Sequence, residues 1–114
     1  MKLSIGVDEF ERLICTVEDG RLPVTVTASS PDAAAHLQAA VDDAIRDGIG
    51  ECFWQEGAGE YRWVFRREGP TLRVVVLWMS GVLTGWETVL WTECDPEPFR
   101  KQVCAEVARL QPVS

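Results

Sequence analysis

Residues 60–78 read EYRWVFRREGPTLRVVVLW, two runs of alternating side chains on either side of a Glu-Gly-Pro break. This period-two pattern, rich in Val, Trp, Tyr and Phe, specifies a pair of antiparallel strands. A turn at Glu68-Gly69, or a four-residue loop from Arg67 to Pro70, sets Tyr61 opposite Val76, Trp63 opposite Val74 and Phe65 opposite Leu72. That row belongs against a core. The other face pairs Arg62 with Val75, Val64 with Arg73 and Arg66 with Thr71, half apolar and half basic. A chain built around this hairpin needs helices over one face of a sheet, and something must then meet the second face.

The flanking segments supply those parts. In LICTVEDGRLPVTV, residues 13–26, Asp19-Gly20 has the chemistry of a two-residue turn, and Val17–Leu22, Cys15–Val24 and Leu13–Val26 then form an apolar row. A competing reading makes Asp8 and Glu11 a capping box, with Phe10, Leu13, Ile14 and Val17 at helical spacing. The hairpin accounts for more residues, with at most a short helical turn at residues 8–12. Leu3, Ile5 and Val7 alternate as a preceding strand.

Residues 30–47, SPDAAAHLQAAVDDAIRD, carry helix signals at both ends: Ser30 as N-cap, Pro31 at the first position and Gly48 just beyond. Ala34, Leu37, Val41 and Ala44 or Ile45 form the expected buried stripe, with His36, Ala40, Asp43 and Asp47 opposite. ECFWQE and WETVLWTEC read as further strands. A last helix begins at Asp95-Pro96, with Phe99, Val103, Val107 and Leu110 as its stripe. The expected order is β-β-β-α-β-β-β-β-α in one α+β domain spanning residues 1–114, an antiparallel β-sheet with two helices packed on one face.

For residues 86–94 the register that sends Trp86 and Leu90 inward leaves Glu87, Val89, Trp91 and Glu93 outside, so neither glutamate is buried unpaired. Trp91 then lies beside Arg73, in reach of a cation–π contact, and Val75, Leu77 and Val89 adjoin it. The outer face becomes an apolar strip bordered by arginines. Val82 and Leu83 fall at an expected loop tip. Aromatic and arginine side chains dominate interface energetics, which makes Arg62, Arg73, Val75, Leu77 and Trp91 candidate partner-binding residues.

Charge adds a second candidate. The net charge is −7, and residues 1–59 hold all of it, with eleven acids against four bases. An acidic field repels phosphate backbones, so nucleic acid is not an expected partner and a basic protein is. Asp42, Asp43 and Asp47 gather at the C-terminal end of their helix, followed by Glu51, where the helix dipole disfavours negative charge by about 0.3–1 kcal/mol per group. Helix stability does not account for that placement, which makes these four acids candidate contacts to a basic partner.

The chain shows little equipment for catalysis. Cys15, Cys52, Cys94 and Cys104 form no C-x-x-C pair, and His36 is the sole histidine, so neither a metal site nor a cofactor is expected. Cys15 and Cys104 read as buried small hydrophobes, with Cys52 and Cys94 nearer solvent. His36 is expected on a polar helix face beside Asp32. No nucleophile elbow, phosphate loop or dinucleotide fingerprint occurs. MKLSIGVDEF lacks the apolar run of a signal peptide and no segment approaches a membrane span, so the expected compartment is the cytoplasm, with reduced thiols.

The motif GEYRWVFRREG at 59–69, then LRVVVLW and a Cys94 to Phe99 helix start, resembles a group of small bacterial α+β proteins. In general character these are similar to immunity proteins of bacterial toxin systems, which are acidic and bind their toxin directly. They also resemble type III secretion chaperones, acidic α+β dimers, although the amphipathic N-terminal helix of such chaperones is present here only if residues 8–17 form it. Neither likeness assigns a residue. The expected function is non-enzymatic protein binding, as an immunity-type inhibitor or accessory protein. Two rivals are a ligand or substrate pocket between helices and sheet at Trp54, Tyr61 or Trp63, and a homodimer joined through the outer strip.

Overall fold

The structure, a computed structural model, describes residues 1–81 and 85–110. It runs β1 (Lys2–Val7), β2 (Leu13–Glu18), β3 (Val24–Ala28), α1 (Ala33–Asp47), β4 (Ile49–Glu56), β5 (Gly59–Glu68), β6 (Thr71–Met79), β7 (Glu87–Cys94) and α2 (Pro96–Leu110). Class and element order are those read from the sequence. The strands divide into two antiparallel sheets, β1-β2-β3 and β4-β5-β6-β7. No described helix is long and apolar enough to cross a membrane.

Both hairpins pair two residues away from the expected register. Val17 faces Val24, Cys15 faces Val26 and Leu13 faces Ala28. The connection is therefore residues 19–23 rather than a two-residue turn, and Leu22, expected in the core row, is 88% exposed. In the central hairpin Trp63 faces Val76, Phe65 faces Val74 and Glu68 faces Thr71. The two-residue turn is Gly69-Pro70, with Gly69 at φ +60, the positive value that a first turn position of type II′ requires. A shift of two leaves every side chain on its expected face, which is why the core rows survive the error.

Residues 8–12 form a turn and not a helix. The Asp8 carboxylate accepts from the N–H of Phe10 and of Arg12 at 2.9 Å each. Those local bonds turn the chain from β1 into β2, so Asp8 shapes a turn where a capping box would need helical backbone.

The helix α1 starts at Ala33 after Asp32, with Ser30-Pro31 in the preceding turn, and stops where Gly48 takes φ +95 and donates its N–H to Ala44 O. Leu37, Val41 and Ala44 are buried as expected. Ala40, expected on the polar side, is buried because α1 lies directly on β4: a Cβ on Gly50 would fall 1.9 Å from Ala40 O. Phe99, Val103 and Val107 of α2 complete the layer, with the Phe99 ring 6.0 Å from that of Phe65.

The smaller sheet shares this inner side. At one end Arg21 Nη2 donates to Trp91 O of β7 at 2.6 Å, and at the other Ser29 N donates to Gln55 O of β4 at 2.7 Å. The stretch containing β3 thus reaches from one edge strand of the larger sheet to the other. Its apolar row, with Leu3, Ile5 and Leu13, joins Trp54, Trp63, Phe65 and the helix stripes in one buried cluster. Burying each large side chain there contributes about 1.5–3 kcal/mol.

The α2 helix also closes the free edge of β1. Gln102 Oε1 accepts from Leu3 N at 2.9 Å, and Glu106 Oε1 from Ile5 N at 2.8 Å. Gln102 Nε2 donates to Met1 O at 3.0 Å, and Arg109 donates to Ile5 O. Helix side chains here take the place of a fourth strand.

Candidate functional site

Among the described residues, no other helix or strand lies on the outer face of the larger sheet, whose side chains are exposed or half-buried. It consists of rows that run across the strands. Glu51, Val64, Val75 and Trp91 form one row; Phe53, Arg62, Leu77 and Thr88 form the next; Ile49, Arg66, Arg73 and Glu93 form a third. Val64, Val75 and Leu77 are half-buried by their neighbours, while Phe53, Trp91 and Trp86 are 45%, 47% and 39% exposed.

The arginines on this face are held in place. Arg73 lies over the Trp91 ring at 5.4 Å from its centroid and pairs with Glu68 at 3.0 Å. Arg62 lies over Phe53 at 5.8 Å and pairs with Glu51 at 2.7 Å. Each guanidinium thus has an aromatic face beneath it and a carboxylate beside it, which limits the rotamer freedom a partner would otherwise have to freeze.

Three expectations for β7 and its approach change. A bulge between Val76 and Leu77 pairs Val76 with Leu90 but Leu77 with Thr88, leaving Val89 as the extra residue. Before the bulge the facing inverts. Glu87 sits opposite Trp78 instead of on the outer face, and Trp86, expected in the core, is exposed with its ring 6.4 Å from Phe53. Val89 leaves the strip and packs against the core, lining a depression with Val24 and Leu22. Val82 and Leu83 lie outside the described residues.

The four candidate acids do not form one cluster. Asp43 and Asp47 share Arg46, at 2.7 and 3.0 Å. Asp42 is placed where its charge acts on Arg100 of α2. Glu51 belongs with Arg62 on the sheet, and with Asp43 and Phe53 it lines a shallow depression beside α1. The acidic set and the strip therefore meet at β4, through Glu51.

Sequence reasoning omitted Phe53 and Trp86. Phe53 was visible in principle: three apolar residues in a row, Cys52-Phe53-Trp54, oblige a strand to turn the middle one away from its neighbours. Trp86 was hidden because the bulge lies between it and the part of β7 whose facing was clear.

The interior holds aromatic rings in contact. Trp54 and Trp63 are 5.1 Å apart, Trp63 and Phe65 5.9 Å, and Tyr61 lies 4.5 Å from Trp78. Burial pushes the thiols of Cys15 and Cys52 up to about 12 and that of Cys94 up to about 11, so these sulfurs are protonated at neutral pH and poor nucleophiles. Cys52, expected near solvent, is buried under α1. No group of three or more His, Cys, Asp or Glu side chains among the described residues is placed to hold a metal ion. No protein-family model matches the chain, and neither a curated protein nor a solved structure is significantly similar to it.

Proposed function

We propose that this chain is a non-enzymatic binding module, of the kind represented by immunity-type inhibitors and accessory proteins, that recognises a protein partner with the outer face of its larger sheet. The observation that carries this reading is the two arginine–aromatic pairs, Arg73 on Trp91 and Arg62 on Phe53, each fixed by a glutamate on a face that no described element covers. Exposed aromatics backed by half-buried Val75 and Leu77, with preorganised guanidinium groups, match the composition of interface hot spots. The excess acid at Asp42, Asp43 and Asp47 favours a basic partner and speeds its encounter.

The test is the double variant Leu77→Glu, Trp91→Glu. Neither side chain lies in the buried cluster, so the variant keeps the wild-type circular dichroism spectrum. Proteins cross-linked by the wild type are expected to be lost by this variant, and high salt is expected to weaken their capture by the wild type more than by Asp43→Lys. An unchanged cross-linked set would remove the outer face from consideration. Sedimentation of the wild type separates a foreign partner from a second copy: a dimer that the double variant dissociates assigns the face to self-association.

A further inference from the structure

In an edge strand the backbone groups of alternate residues point away from the sheet. Gln55 turns its carbonyl outward, where it accepts from Ser29, and Phe53 and Glu51 precede it by two and four residues. Their N–H and C=O groups therefore also point away from β5. Among the described residues no hydrogen bond reaches them. Beside this open edge α1 presents His36, Ala39 and Asp43, which with Glu51, Cys52 and Phe53 border a depression of about 390 Å³. A second depression of about 240 Å³ continues it toward Ser29, Asp32 and Gln55. His36 and Phe53 border both, so the two form one trough, with an open strand edge on one side and a helix flank with an exposed alanine on the other.

We propose that this trough receives an extended basic segment of the partner polypeptide, which adds to β4 as a fifth strand. The inference rests on the protein-binding reading and supplies its mode of recognition. The outward groups of Glu51 and Phe53 pair with the incoming main chain, and alternate incoming side chains face α1 and the outer sheet surface. Charge selects the occupant. Asp32, Asp43 and Glu51 border the trough; Asp43 shares Arg46 with Asp47 and Glu51 pairs with Arg62, so carboxylates outnumber guanidinium groups there and lysine or arginine at alternate positions is favoured. A second copy paired through β4 would bring these same acids against each other, which disfavours it.

The probe is a blocked six-residue peptide alternating lysine and valine, titrated into the isotopically labelled full chain and followed by amide NMR, with a glutamate–valine peptide as control. Shifts are expected at Glu51, Phe53 and Gln55, with at least tenfold tighter binding of the lysine peptide. Phe53→Pro removes one outward donor and no β4–β5 bond, because Phe53 and Arg62 form a pair that exchanges none. It is expected to weaken binding at least tenfold while the β5–β7 amides keep their shifts. Should that variant unfold, Ala39→Trp fills the trough from the helix side, where the residue is exposed, with the same expected loss.

The proposal is overturned if millimolar lysine peptide shifts nothing, if the glutamate peptide binds equally, or if binding survives both Phe53→Pro and Ala39→Trp. It is also overturned, in favour of a second copy, if the wild type sediments as a dimer that Phe53→Pro dissociates. The two surfaces are separable. If the Leu77→Glu, Trp91→Glu variant loses the cross-linked partner while the trough variants keep it, the outer face stands and the fifth strand falls. The opposite pattern keeps the trough and removes the outer face.

Discussion

The free edges of β1 and β4 pose the same chemical problem, a row of outward N–H and C=O groups, and the chain treats them in opposite ways. Along β1, Gln102 and Glu106 of α2 accept from Leu3 and Ile5, while Gln102 and Arg109 donate to the carbonyls of Met1 and Ile5. The match is geometric: four helical residues advance about 6 Å and two strand residues about 6.8 Å, so side chains one turn apart on a helix meet alternate groups of a strand. Along β4 the neighbouring helix is also close, but α1 presents His36, Ala39 and Asp43, and among the described residues no hydrogen bond reaches the outward groups of Glu51 and Phe53. Helix proximity alone does not close an edge. The side chains at the matching positions decide it.

The comparison is broken most severely at Gly50. A Cβ there falls 1.9 Å from the Ala40 carbonyl, which is helix backbone and cannot rotate aside. Gly50→Val is expected to lift α1 from β4 and cost about 3 kcal/mol or more, read as a lower urea midpoint. A loss under about 1 kcal/mol would show that α1 rides over β4 with slack, and the trough wall would lose its fixed position. Next in size is Glu106→Ala. It leaves the Ile5 N–H without its acceptor in a part-buried setting, a loss of about 1–3 kcal/mol with faster amide exchange at Ile5. It also makes the β1 edge resemble that of β4, so self-association through β1 is expected to rise with concentration. Glu51→Ala on the open edge, by contrast, removes only a surface ion pair and is expected to stay within about 0.5 kcal/mol of wild type. Equal losses at Glu106 and Glu51 would erase the distinction between the edges.

How much of this was legible in the sequence follows from which signals are local. Alternation in residues 60–78 assigned Trp63, Phe65, Val74 and Val76 to the core, and that assignment held although the register moved by two, because face depends only on parity. Gly48 ended α1 as expected because positive φ is a single-residue property. The division into two sheets was not legible: strand patterns report a buried face, not which strands are neighbours. Likewise the bulge in β7 has no signature in TVLW, yet it moves Trp86 and Glu87 to faces opposite those expected. The strip residues Arg62, Arg73, Val75, Leu77 and Trp91 were readable and share one face, while the acids were grouped by adjacency in sequence. The fold separates Asp42 from Glu51 because neighbouring helix positions diverge and Gly48 reverses the chain between them. The two edges were the least legible of all, since Gln102 and Glu106 lie about a hundred positions from the groups they meet.

The smallest expected effect separates the edges by pH. Burial pushes the Glu106 carboxyl up, but the hydrogen bonds from Arg109 and from Ile5 N–H outweigh it, and the group titrates below its ordinary value of 4.5. A carboxylate whose folded pKa is depressed stabilises the fold above its unfolded pKa, and that contribution is lost as pH falls through the folded value. The β1 edge is therefore expected to be closed at neutral pH and to loosen progressively below about pH 4.5. Among the described residues no carboxylate accepts from the outward N–H groups of the β4 edge, so its exposure carries no such dependence. Amide exchange at Ile5 and Phe53, corrected for intrinsic rates between about pH 3 and pH 6, reads both edges in one sample. Ile5 is expected to lose protection toward the acid end while Phe53 stays unprotected throughout. Glu106→Gln keeps an acceptor oxygen but cannot titrate, so its Ile5 profile is expected to be flat. A sloping profile in that variant would place the titrating group elsewhere on β1 or α2, and the closed edge would then owe its pH dependence to something other than the side chain that caps it.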